Sequence, residues 1–178
     1  SFLTHMPEGL QQRQTVAILQ AIGGDNTALE SVRNARNASP EISPNVNMRM
    51  LSPTLRLYEP AGSDEGRQKP LPLLIYLHGG GWTIGSLNSC GHFCDYMAAT
   101  GRMKVLAADY RLAPEHPFPQ GLSDCTAAVA YAREHAEALG IDTTQVSVGG
   151  DSSGGNLAIA TALAPECRGR IAALLLFY

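Results

Sequence analysis

Two short stretches of this chain hold residues suited to acyl transfer, Gly150-Asp151-Ser152-Ser153-Gly154 and His78-Gly79-Gly80-Gly81-Trp82. The first fits the pattern G-x-S-x-G, follows a strand-like run at 145–148 and precedes a helix-like run at 156–163, which is the setting of a nucleophile elbow. A hydroxyl lifted above a sheet edge by a sharp strand-to-helix turn needs crowded, strained backbone around it, and Gly150 and Gly154 supply positions that tolerate this. The same turn leaves the Ser153 N–H at a helix start, where unpaired donors and the positive dipole end favour an oxyanion. Ser152 therefore reads as the nucleophile and Ser153 as a backbone donor.

The glycine run answers the second need of acyl transfer. Negative charge gathers on one oxygen, and preorganised donors aimed at it contribute roughly 3 kcal/mol each. Backbone without Cβ atoms can come that close. The run follows residues 71–77, an uninterrupted apolar stretch of the length of a strand buried on both faces, so it lies at a carboxyl end, where open α/β sheets bind their ligands. Phosphate binding is the competing chemistry for glycine-rich turns. Neither stretch ends in Gly-Lys-Ser/Thr, and neither fits G-x-G-x-x-G.

The elements that must position these residues follow from periodicity. Helical spacing predicts helices over 8–22 and 26–38, the first with Leu10, Val16, Leu19 and Ile22 on or near a face packed against the core and ended by Gly23-Gly24. Residues 47–51 and 54–58 read as an opening strand pair, and 62–69 as a solvated polar turn. Strands at 71–77, 103–110, 145–148 and 171–178 then alternate with helices at 89–100, 121–139 and 153–163. Such alternation predicts parallel strands joined by crossover helices.

Three blocks together, His78-Gly79-Gly80-Gly81-Trp82, the run from Asp109 to Pro119 and Gly150-Asp151-Ser152-Ser153-Gly154-Gly155-Asn156, resemble the hormone-sensitive-lipase-like carboxylesterases. The resemblance covers the chain from about Thr54 onward. It implies an α/β-hydrolase-type, mostly parallel sheet with helices on both faces, incomplete at its C-terminal side. Residues 1–45 would be a helical N-terminal cap segment and 46–178 the N-terminal part of the catalytic domain. Position by position, the resemblance makes Ser152 the nucleophile and gives the oxyanion hole to the N–H groups of Gly80, Gly81 and Ser153. The implied activity is hydrolysis of short- to medium-chain carboxylic esters through a serine acyl-enzyme; the alternative is a non-catalytic small-molecule receptor on an esterase-like fold.

In that family the triad acid and histidine follow the nucleophile, on loops after later strands. None of the five histidines, His5, His78, His92, His116 and His135, has that chain order, so acid and base are expected beyond Tyr178. The apolar strand at 171–178 is expected to be covered by a complementary C-terminal polypeptide or by a second copy.

Composition bounds the rest. With 178 residues, 44% hydrophobic, 18 glycines and 11 prolines, the chain has the make-up of one α/β domain. A net charge of −3 offers no basic surface for nucleic acid or anionic lipid, and no leader or membrane-length apolar run is found, so a cytoplasmic protein acting on a small-molecule ester is expected. Cys90, Cys94, Cys125 and Cys167 read as free thiols. Cys90, His92 and Cys94 fall within five residues, but on a helix His92 points away from the two cysteines, so no metal is expected, and no cofactor. Asp151 reads as a structural hydrogen-bonding group rather than the triad acid, because a neighbour on a tight turn points away from the nucleophile. Asp109, Arg111 and Glu115 are read as a candidate ion-pair network beneath the site, and Trp82 and Phe118 as candidate walls of a substrate pocket.

Overall fold

A computed structural model describes residues 9–63 and 69–178, so His5, Glu8 and most of the expected polar turn lie outside the described residues. Strands β1 (Val46–Ser52), β2 (Leu55–Pro60), β3 (Leu71–Leu77), β4 (Lys104–Ala108), β5 (Ile141–Asp151) and β6 (Ala173–Phe177) form one sheet in the order β1-β2-β4-β3-β5-β6. β1, β2 and β4 are joined antiparallel, and β4, β3, β5 and β6 run parallel to one another. The helices are α1 (Leu10–Ile22), α2 (Thr27–Ala35), α3 (Gly91–Gly101), α4 (Gln120–Glu134), α5 (Ala136–Leu139) and α6 (Ser153–Leu163).

The apolar run of β3 explains the layering. Successive side chains of a strand point to opposite faces. Leu73, Ile75 and Leu77 join Val129 and Ala132 of α4 and Leu157 and Ala158 of α6 on one face, whereas Leu74 and Tyr76 meet Cys94 and Ala98 of α3 on the other. β4 divides its residues the same way, with Leu106 on the first face and Val105 and Ala107 on the second. A strand with apolar residues on both faces has nowhere to sit but between two helical layers.

The structure differs from expectation at three elements. β5 begins at Ile141 rather than 145, because the polar stretch Asp142-Thr143-Thr144 continues the strand while Asp142 accepts hydrogen bonds from the Thr144 N–H and hydroxyl and from Gln145. The single helix expected over 121–139 is two, broken at His135, whose ring stacks on Tyr131 and donates from Nδ1 to the Tyr131 carbonyl 3.0 Å away. The buried face of α1 is also a different one. Val16, Leu19 and Ile22 are 52%, 63% and 67% exposed, and the helix packs through Ala17 and Ala21 onto Leu29 of α2 and onto Ile84; the Leu10 side chain lies outside the described residues. Small side chains let α1 approach closely, so the large apolar ones are left outside. Leu19→Gln should therefore change stability by less than about 0.5 kcal/mol, while Leu29→Ala should cost about 2–5 kcal/mol in chemical denaturation.

β6 lies at the sheet edge, parallel to β5, with Leu174, Leu176 and Phe177 each about 40% exposed. Its pairing with β5 nevertheless reaches the candidate site, because Asp151 stands opposite Phe177.

Candidate active site

Leu77 at the end of β3 pairs in register with Gly150 near the end of β5. Two chain segments leaving adjacent parallel strands at the same level are thereby neighbours, and these are the glycine run and the G-x-S-x-G turn. Their approach is too close for side chains. A Cβ on Gly154 would collide with the carbonyl oxygens of Leu77 and His78, and one on Gly80, at φ +135°, with the Ile84 carbonyl.

Ser152 occupies the turn with φ 50° and ψ −116°, a left-handed conformation that a serine adopts only when its surroundings hold it. They do so through the backbone. The Ser152 N–H donates to the Phe177 carbonyl of β6 at 2.8 Å, and the Ser152 carbonyl accepts the Asn156 N–H at 3.1 Å. The side chain is exposed and makes no cap hydrogen bond to α6, which leaves the hydroxyl free for another task. Ser153 opens α6 and is buried; as the first helical residue, its N–H has no acceptor within the helix.

Asp151 joins the two stretches. Its Oδ1 accepts the Gly79 N–H at 3.0 Å and the Tyr76 hydroxyl at 3.0 Å. Burial, together with the neighbouring carboxylate, pushes the Tyr76 hydroxyl far above the ordinary tyrosine range, so it remains a donor at any working pH. The next residues of the loop are spared this use: among the described residues the Gly80 and Gly81 N–H groups donate no hydrogen bond. Asp151→Ala removes the acceptor from Gly79 and Tyr76 together. If the protein has the ester-hydrolysing activity that the resemblance implies, the expected result is a protein that folds, with kcat on esters lowered about tenfold or more and KM little changed, since donors a fraction of an ångström out of place act mainly on the transition state.

His78 is buried and committed. Its ring stacks on Tyr110 with centroids 4.4 Å apart, Nδ1 donates to the Gly79 carbonyl at 3.0 Å, and Nε2 lies 3.4 Å from Asp109 Oδ1. The Tyr110 hydroxyl donates to the His78 carbonyl at 2.7 Å, and burial holds it protonated there. His92 is exposed on α3, His116 is exposed, and His135 is tied to Tyr131. Among the described residues no histidine is hydrogen-bonded to Ser152. Cys90 and Cys94 are buried while His92 is exposed, so the three do not face one point.

Asp109, Arg111 and Glu115 do not pair with one another. Asp109 faces His78, Arg111 grips Asp124 of α4 with its Nε 2.9 Å from Oδ2, and Glu115 is bound by Arg33 of α2. Arg111 and Glu115 take ion-pair partners from elsewhere in the chain, which the local spacing does not reveal. Trp82 and Phe118 line one cleft of about 390 Å³ with Tyr110, His116, Leu122 and Leu157, an apolar hollow beside the start of α6.

Residues 74–178 match the family model described as alpha/beta hydrolase fold. Over 103 residues the chain is 45% identical to the carboxylic ester hydrolase LipN of Mycobacterium tuberculosis, a segment that makes up 57% of this chain and 26% of that protein. Over 87 residues it is 44% identical to carboxylesterase NlhH of the same organism, covering 49% of this chain and 27% of the relative. Among solved structures, a bacterial heroin esterase superposes with a TM-score of 0.71 at 31% identity, over 93% of this chain and 56% of its own. The matched segments thus span about a quarter of these curated relatives and about half of the solved chain. These relatives bear out the resemblance to hormone-sensitive-lipase-like carboxylesterases, and the match over more than half of its residues means that the chain belongs to the alpha/beta hydrolase fold family.

Proposed function

We propose that this chain is the nucleophile-bearing part of a carboxylic ester hydrolase that works through a serine acyl-enzyme. The single observation that carries the reading is Ser152, strained at φ 50° on the strand-to-helix turn with its hydroxyl unused, beside a glycine loop whose Gly80 and Gly81 N–H groups are unengaged among the described residues. The Ser152 oxygen attacks the ester carbonyl. The N–H groups of Gly80, Gly81 and Ser153 receive the oxyanion, helped by the positive end of α6. A histidine oriented by a carboxylate takes the serine proton and returns it to the leaving alcohol; water then releases the acid by the reverse sequence. We assign that pair to no residue of this chain and place it in the remainder of the hydrolase domain, whose further strands would also cover the exposed face of β6.

An apolar cleft of about 390 Å³ beside α6 supports short to medium acyl chains. We take residues 1–45 as a cap over the site, an assignment supported by the seating of α1 and α2 on Ile84 just after the glycine loop. Four buried free thiols fit a reducing compartment, and we place the protein in the cytoplasm; among the described residues no helix is long and apolar enough to cross a membrane. A series of p-nitrophenyl esters from acetate to palmitate, given to the protein with the remainder of the hydrolase domain present, tests the reading. Turnover that peaks at short to medium chains and shows a burst of nitrophenol supports it, whereas binding of these esters without product release would favour a receptor.

A further inference from the structure

We propose that Arg33 is a positioning residue for the ester-hydrolysing site: one guanidinium on α2 fixes the segment leaving the glycine run and the run from Asp109 to Pro119 in a single arrangement. The inference rests on the reading of the site as an esterase. Arg33 Nε donates to the Thr83 carbonyl at 2.8 Å, Nη2 to the Ala113 carbonyl at 3.0 Å, and the two Nη atoms together grip Glu115 at 2.7 and 2.9 Å. Three segments far apart in sequence meet at one planar group, and only a fork of this shape makes all four bonds at once.

Two further observations show what the junction holds. Leu29, one turn before Arg33 on α2, is fully buried against Ile84, so the helix is seated by apolar contact on the same segment that its guanidinium grips. The Ala113 N–H donates to the Trp82 carbonyl at 2.9 Å, which joins the two loops directly. Gly81 and Trp82 both lie at φ 61°, a conformation that a tryptophan keeps only where its surroundings impose it. Trp82 and Ala113 line the cleft beside α6, and Gly81 carries one of the proposed oxyanion donors. Arg33 and Glu115 are 22% and 35% exposed, so as a plain ion pair they contribute little to stability. Two of the four bonds go to backbone carbonyls of the loops that form the site, and that is where the effect of Arg33 falls.

The test uses Arg33→Met and Arg33→Lys in the intact protein, with kcat and KM on a short ester measured beside the indole N–H resonance of Trp82, the only tryptophan of this chain, assigned by Trp82→Phe. Both variants should lower kcat/KM by about 10- to 100-fold, as expected for a displacement near 1 Å, and should shift or broaden the Trp82 resonance. Glu115→Gln leaves the two carbonyl bonds in place and should cost less than about tenfold. Unchanged kcat/KM and an unchanged Trp82 resonance, with only a lower Tm, would overturn the proposal and leave a surface ion pair. Should Arg33→Met not fold, Arg33→Lys decides on the same readouts, since it keeps the charge and loses the fork. If the wild-type protein hydrolyses no ester, the esterase reading fails by itself, and the Trp82 resonance still tests whether Arg33 fixes the loops.

Discussion

Ser152→Ala should leave a folded protein whose ester hydrolysis is about 10⁴- to 10⁶-fold slower. The turn is held by backbone groups, the Ser152 N–H on Phe177 and the Ser152 carbonyl on Asn156, and alanine keeps both. The hydroxyl does not cap α6, so among the described residues its loss costs no structural hydrogen bond. What disappears is the covalent route. What remains is the set of proposed oxyanion donors, which by themselves should retain a residual acceleration of about 10³-fold over water. Circular dichroism and Tm matching the wild type, beside a kcat reduced by at least four orders of magnitude, is the expected pair of results; about tenfold loss would move the nucleophile elsewhere.

The largest effect on stability is expected far from the site, at the end of the sheet where β1, β2 and β4 meet. Lys104 on β4 and Glu59 on β2 are both almost wholly buried, and Lys104 Nζ donates to Glu59 Oε1 at 2.6 Å and to the Leu139 carbonyl at 2.7 Å. Arg49 of β1 donates to the other carboxylate oxygen at 2.8 Å. Lys104→Met leaves a buried carboxylate that, among the described residues, keeps Arg49 as its charged partner, at a cost of about 3–5 kcal/mol and a fall in Tm of roughly 10 °C. Adding Glu59→Gln should restore part of that loss, because no buried charge is then left unpaired. The same pair sets an acid limit. Burial alone would raise the Glu59 carboxyl, but hydrogen bonds and charge from Arg49 and Lys104 outweigh it and hold the group below its ordinary value of 4.5. A depressed folded-state value means that the contribution is fully present above 4.5 and is lost as the pH falls below it, when the folded state must protonate a carboxylate it holds ionised. Wild-type stability should fall as the pH drops below 4.5 more steeply than that of Lys104→Met in urea titrations.

The parts of the site built from neighbours in sequence were legible before the fold was known. Gly150 to Gly154 declare a turn because glycine spacing, a preceding apolar strand and a following helix all occur within some twenty residues. β3 declared its burial by having no polar side. Asp151 could be read as a structural group from its place on the turn, but its acceptance of the Gly79 N–H depends on β3 and β5 being adjacent, which no local pattern states. Arg33 was invisible for the same reason: its partners lie 50, 80 and 82 residues away. The misread face of α1 has a different cause. Hydrophobic periodicity picks out large side chains, whereas the contact with α2 and Ile84 is made by Ala17 and Ala21, which weigh little on any hydropathy scale and matter because they are small.

The central claim is that the Ser152 hydroxyl forms the covalent intermediate. The most direct test treats the intact protein with a p-nitrophenyl alkylphosphonate, which a serine hydrolase attacks as it would an ester, and maps the adduct by peptide mass spectrometry. One phosphonyl group per active molecule on the peptide containing Ser152, with activity lost in step and no labelling of Ser152→Ala, is the predicted result; labelling at Ser153 or Ser147, or full inactivation with Ser152 unmodified, would contradict the claim.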